Sequence, residues 1–172
     1  MKKKIINVTF WGVLIFYLLL LFEVLIWRGG QGYRTGINLI PFRSIAEGIN
    51  HFDGIRYHLV DMQVWGNVLM FIPAGIYLML LRTKRSMPKT FLTIFIFSLT
   101  VEIIQFIFGL GASDIDDVIL NSLGGVIGII IYHFMVKIFK TKERARNAIA
   151  YTSIFVGLSL FVLIIILFIA NP

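Results

Sequence analysis

The chain has 172 residues, is 58% hydrophobic and contains no cysteine. That apolar share exceeds the roughly 45–50% of soluble domains, and the missing thiols exclude disulfides and thiolate metal sites. The net charge of +7 is assigned to membrane topology rather than to nucleic acid, because the basic residues sit in short stretches flanking apolar runs.

Five runs approach or exceed the ~18–20 apolar residues that cross a bilayer. They are Ile6–Trp27, Val64–Leu81, Thr90–Leu110, Val118–Val136 and Ile149–Ala170. The expected fold is therefore all-α, a polytopic membrane helical bundle of about five transmembrane helices. The first run follows Lys2-Lys3-Lys4 as a signal peptide would. It outlasts a ~7–15-residue signal core, however, and Arg28-Gly-Gly-Gln lacks a small-x-small cleavage pattern, so it reads as an uncleaved anchor.

In the first connection, Ser44-Ile-Ala-Glu47 has the spacing of a capping box, in which two side chains answer orphan backbone N–H groups at a helix start. Ile45, Ile49 and Phe52 follow at helical intervals. They predict a short amphipathic helix on the membrane surface, ended by Gly54, with an ordered loop carrying no site as the equal alternative. The second run holds Asn67 and Pro73; the third holds Ser98, Glu102 and Gln105. Asp114, Asp116, Asp117 and Asn121 then lead into the fourth run, with Gly124 and Gly128 beyond them. The fifth has no ionisable residue and is assigned no chemistry. Residues 1–137 form one membrane domain, 138–148 a basic cytoplasmic loop and 149–172 an additional C-terminal transmembrane helix.

Twelve of the 16 Lys and Arg residues fall at the N-terminus and in the second and fourth connections. By the positive-inside rule the N-terminus is cytoplasmic, and the first and third connections face outward. Glu102 then lies about 12 Å below the outer boundary and Asn121 about 6 Å below Asp117, at ~1.5 Å per residue. Asn67 and Glu23 fall at similar depth, so polar groups converge in one leaflet. A helix begun at or before Asp114 puts Asp114, Asp117 and Asn121 on one face and turns Asp116 about 100° away, toward water. Gly124 and Gly128 continue that face as a small-xxx-small stripe for close helix approach. Two blander readings stand beside this: the aspartates as a solvated helix cap, and Asn121 as an interhelical hydrogen bond. Glu23, near a helix end, is expected to snorkel to water.

Four blocks taken in order, Asn38-Leu-Ile-Pro41-Phe42, Gly66-Asn67 to Pro73-Ala-Gly75, Glu102-Ile-Ile-Gln105, and Asp114-Ile-Asp116-Asp117 to Asn121-Ser-Leu-Gly124-Gly125, resemble the VanZ-like family from about the first helix to about Val136. The family often carries an Arg shortly before the first Asp of the last block. Here that stretch reads Gly109-Leu-Gly-Ala-Ser113, and Arg43 or Arg56 is the expected substitute and anion contact. The resemblance implies a multi-pass protein of the bacterial plasma membrane, and its founding member is associated with reduced susceptibility to the glycopeptide teicoplanin. On this reading Asn67, Glu102, Gln105, Asp114, Asp116, Asp117 and Asn121 form an outer-leaflet site for a lipid-linked envelope precursor or a lipoglycopeptide. The alternative is an enzyme acting on a polyprenyl phosphate, its carboxylates holding a divalent cation such as Mg²⁺ that neutralises the phosphate. A transporter ranks third, since five spans without a visible inverted repeat offer no continuous pathway.

Overall fold

A computed structural model describes residues 2–26, 37–49, 51–52, 57–58, 62–82, 86–110 and 112–155. The helices are α1 (Lys2–Ile26), α2 (Arg43–Ile49), α3 (Met62–Leu81), α4 (Met87–Phe108) and α5 (Ile115–Phe139), followed by α6 over residues 142–155. Two strand pairs of two residues each accompany them. Strand β1 (Ile37–Asn38) runs parallel to β4 (Ser113–Asp114), and β2 (His51–Phe52) runs antiparallel to β3 (Tyr57–His58). Among the described residues, α1, α3, α4 and α5 are long and apolar enough to cross a membrane. The fold is the all-α membrane bundle expected from the apolar runs. Of the fifth expected span, residues 149–155 belong to α6 and residues 156–172 lie outside the described residues. Gly54 and Arg56 lie outside them too.

Local signals explain the helix limits. Ser86 caps α4, its hydroxyl accepting from Lys89 N–H at 3.4 Å, and Pro88 occupies the first turn, where its missing N–H costs nothing. The helix stops at Gly109, whose φ of 61° is the left-handed conformation glycine adopts without penalty. Leu110 N–H then returns to the Gln105 carbonyl at 2.9 Å. Thr141 caps α6 by accepting from Arg144 N–H at 3.2 Å. The basic stretch 138–148 thus spans the end of α5, a tight turn and the start of α6.

The chain divides into two compact units, one of residues Leu21–Phe134 and one joining Met1–Leu20 to Met135–Pro172. In the second, Phe10 and Leu14 of α1 and Ala145, Ile149 and Ala150 of α6 are buried. The Arg146 guanidinium lies 4.3 Å from the Phe10 ring centre and donates to Asn7 Oδ1 at 2.5 Å.

The first unit is built on the contact of α3 with α5. Lipid is as apolar as a leucine side chain, so helices in a bilayer associate through close packing and polar contacts rather than hydrophobic burial. Gly75, Gly124 and Gly128 supply the closeness. A Cβ on Gly124 would run into the Val68 carbonyl oxygen, one on Gly128 into that of Ile72, and one on Gly75 into that of Gly125. Gly125 faces Ile94 and brings α4 against the same helix. Helix α3 continues through Pro73, whose ring removes the N–H that would bond the Leu69 carbonyl.

Candidate functional site

The polar cluster is organised by the short parallel pair β1–β4, which sets Asn38 beside Asp114. Asn38 Nδ2 donates to Asp114 Oδ1 at 3.0 Å and to Ser44 Oγ at 2.9 Å, and Ser44 Oγ donates to Asp114 Oδ2 at 2.5 Å. Asn38 Oδ1 accepts from Ile40 N–H at 3.2 Å, the local turn that an Asn side chain makes with its own backbone two residues on. On the other side, Asp114 N–H donates to Glu102 Oε2 at 2.9 Å, and Ser113 Oγ to the Glu102 carbonyl at 3.2 Å. Asp114 therefore joins the first connection to α4 while standing in β4, ahead of the helix. It is not on a helix face with Asp117, because the strand pairing holds it extended and α5 begins at Ile115.

Asp116 departs furthest from expectation. It is 1% exposed, not turned to water. Its Oδ1 accepts from Phe42 N–H at 2.5 Å and its Oδ2 from Ile45 N–H at 3.1 Å. Those are N–H groups at the start of α2, left without helical partners. The cap of α2 is thus supplied by a residue 74 positions away. The capping box expected at Ser44 and Glu47 does not form: Ser44 lies inside α2 and bonds Asp114. Glu47 accepts from Arg43 Nε at 3.1 Å in a pair whose side chains are 58% and 67% exposed. Arg43 is accordingly directed to Glu47 rather than to the aspartates.

Deeper along α5, Asp117 and Asn121 do share a face at i and i+4. Asp117 Oδ1 accepts a short hydrogen bond from Asn67 Nδ2, joining α3 to α5. Asn121 Nδ2 donates to Ser98 Oγ at 2.9 Å, joining α5 to α4. Gln105 Nε2 donates to the Leu25 carbonyl at 2.5 Å, fastening α4 to the end of α1. Asn67, Glu102, Gln105, Asp117 and Asn121 are all at least nine-tenths buried. Asn121 Oδ1 and Ser122 Oγ are buried without a hydrogen-bond partner among the described residues. Glu23 is exposed on α1.

Sequence reasoning missed Asn38, Ser44 and the two N–H groups at the start of α2. Polar residues in a connection are ordinary; the signals for Asn38 were its place at the head of the first family-like block and the spacing Asn38-x-Ile40, which hints at a side-chain turn. As for a cation, the oxygens of Asp114 and Asp116 already accept from protein N–H and O–H donors. Among the described residues, no three His, Cys, Asp or Glu side chains are grouped so as to hold a metal ion.

The model of the family described as VanZ/LLP1 matches residues 14–140, the range that contains every element of the cluster. A curated relative, "Protein VanZ" of Enterococcus faecium, is 34% identical over 134 residues, covering 78% of this chain and 72% of the relative. No solved structure matches.

Proposed function

The chain belongs to the VanZ/LLP1 family, and from that premise we propose that it lowers bacterial susceptibility to glycopeptides of the teicoplanin type through a polar site at the outer leaflet. The observation that carries this reading is one hydrogen-bonded cluster of four carboxylates, in which Asp114 of β4 and Asp116 of α5 bind the first connection, Glu102 of α4 binds Asp114 and Asp117 of α5 binds Asn67 of α3. Ionisable side chains within membrane segments are costly and mark functional sites by default. The asymmetry of basic residues supports an orientation with this end of the bundle outside the cell, where an acylated antibiotic or a lipid-linked envelope precursor meets the membrane. The network fixes the connection carrying α2 against the ends of α4 and α5, so that a ligand meets a preorganised surface.

The test is teicoplanin susceptibility in a host expressing the wild-type chain, Asp117→Asn or Asn67→Leu, with membrane levels matched by immunoblot. Wild type is expected to reduce susceptibility, and both variants to lose that effect at equal membrane level. An unchanged phenotype in both variants, or no effect of the wild type, overturns the reading.

A further inference from the structure

The segment leading into α2 is apolar and bare. Ile37, Leu39, Ile40 and Phe42 are between 55% and 73% exposed. An exposed apolar run in a connection, where polar residues are the rule, calls for something to cover it. The polar groups of the same segment are used inside the protein. Asn38 bonds Asp114 and Ser44. Ile40 N–H donates to Asn38 Oδ1, Phe42 N–H to Asp116 and Arg43 N–H to the Ile40 carbonyl at 3.3 Å. Pro41 has no N–H to answer. Lipid excludes irregular backbone because its polar groups would lack partners there; from Ile40 to Arg43 every N–H has one.

The pairing of β1 with β4 sets the depth of this segment. Asp114 N–H and Ser113 Oγ both bond Glu102, so Asn38, paired with Asp114, stands level with Glu102 on α4. Six more residues carry α4 to Phe108, about 9 Å at ~1.5 Å per residue. None of them is charged, and Ile103, Phe106, Ile107 and Phe108 are exposed, as a lipid-facing surface is. From Lys89, the charge that precedes the apolar run, to Phe108 is about 28 Å, close to the ~30 Å of a hydrocarbon core. Ile37 and Leu39 line one groove with Leu99, Ile103 and Phe106, which puts them along the lipid face of α4 rather than beyond its end. We infer that residues 37–42 are an interfacial membrane anchor, with Ile37, Leu39, Ile40 and Phe42 among the acyl chains of the nearer leaflet. Their depth of about 9 Å falls within the ~5–10 Å that interfacial elements reach. The Arg43–Glu47 pair, one turn along α2, marks where the insertion ends. The covering partner is thus lipid, and the anchor holds Asn38 and Ser44 against Asp114 from the membrane side.

The experiment is spin-label accessibility of the whole chain in vesicles of phosphatidylethanolamine and phosphatidylglycerol. With no native cysteine, a nitroxide attaches only where a thiol is introduced, singly at Leu39→Cys, Ile40→Cys, Ile103→Cys or Glu47→Cys. All four positions are exposed, so a label there displaces no packed side chain. Oxygen concentrates among acyl chains and a water-soluble nickel chelate stays outside them, so the ratio of their collision rates with the nitroxide rises with depth. Leu39→Cys and Ile40→Cys are expected to match the ratio of Ile103→Cys, one residue from Glu102 on α4, and to exceed that of Glu47→Cys. A ratio equal to that of Glu47→Cys would put the segment in water. Exclusion of both oxygen and chelate would put it against protein, a second copy of the chain included. Either result overturns the inference. The readout involves neither the antibiotic nor the sidedness of the bundle, so a failed anchor leaves the susceptibility reading standing, and a failed susceptibility test leaves the anchor.

Discussion

Asp116 has both carboxylate oxygens on backbone N–H groups of α2, so its side chain holds the first connection where a helix-start residue of α2 would otherwise have to. The same contacts accompany an unusual backbone: Phe42 has φ of 66°, a left-handed conformation that costs a non-glycine residue on the order of 1 kcal/mol or more. Such strain persists where neighbours over-determine it, and the Asp116 hydrogen bond to Phe42 N–H is one such neighbour. Asp116→Ala leaves two donors unanswered, at about 1–3 kcal/mol each where they remain shielded from water. The variant in detergent is expected to melt on the order of 5–10 °C lower. Asp116→Asn, which keeps one acceptor, is expected to fall between it and the wild type. A melting curve for Asp116→Ala superimposed on wild type would show that the cap contributes nothing.

Between elements, the α3–α5 contact tolerates no added methyl group. Gly124→Ala would drive a Cβ into the Val68 carbonyl, and backbone cannot give way as a flexible side chain can. Gly66→Ala, in the same α3, meets nothing within 4 Å and gains up to about 1 kcal/mol of helix propensity. Thermal unfolding of the two variants is expected to move in opposite directions, and a shared downward shift would argue against close packing as the cause. This contact was legible beforehand in the spacing of Gly124 and Gly128, because helical periodicity alone brings them to one face. The helices were legible for the same reason: an apolar run of bilayer length has few other uses. Periodicity failed at Asp114. It assumed an unbroken helix there, whereas β1, distant in sequence, pairs with β4 and delays the helix to Ile115. The later start takes Asp114 off the helix face, while Asp116 keeps its helical direction and meets the first connection there instead of water. Ser44 was misplaced by a related error, since a local motif was credited with a cap that Asp116 provides from across the fold.

At the scale of the whole molecule, the proposed site has meaning only if the connection bearing Asn38 and Ser44 and the turn bearing Asp114 reach the cell exterior. The sequence argues that they do: Lys2–Lys4, the stretch from Arg82 to Lys89 and the stretch from Lys137 to Arg146 hold twelve of 16 basic residues. Retaining several Lys and Arg on the cytoplasmic side of short connections orients a bundle far more strongly than net charge does. Orientation is open to direct measurement because the chain has no native cysteine, so a single introduced thiol reports its own side. Ala112 is exposed next to β4, and Glu143 is exposed near the start of α6. In intact cells, a membrane-impermeant maleimide is expected to label Ala112→Cys and to leave Glu143→Cys unlabelled until the membrane is opened. The reverse pattern would place the carboxylate cluster in the cytoplasm, beyond direct reach of an antibiotic acting outside the cell. The outer-leaflet site would then fall, while the packing of α3 on α5 and the hydrogen bonds of Asp114, Asp116 and Asp117 would be unaffected.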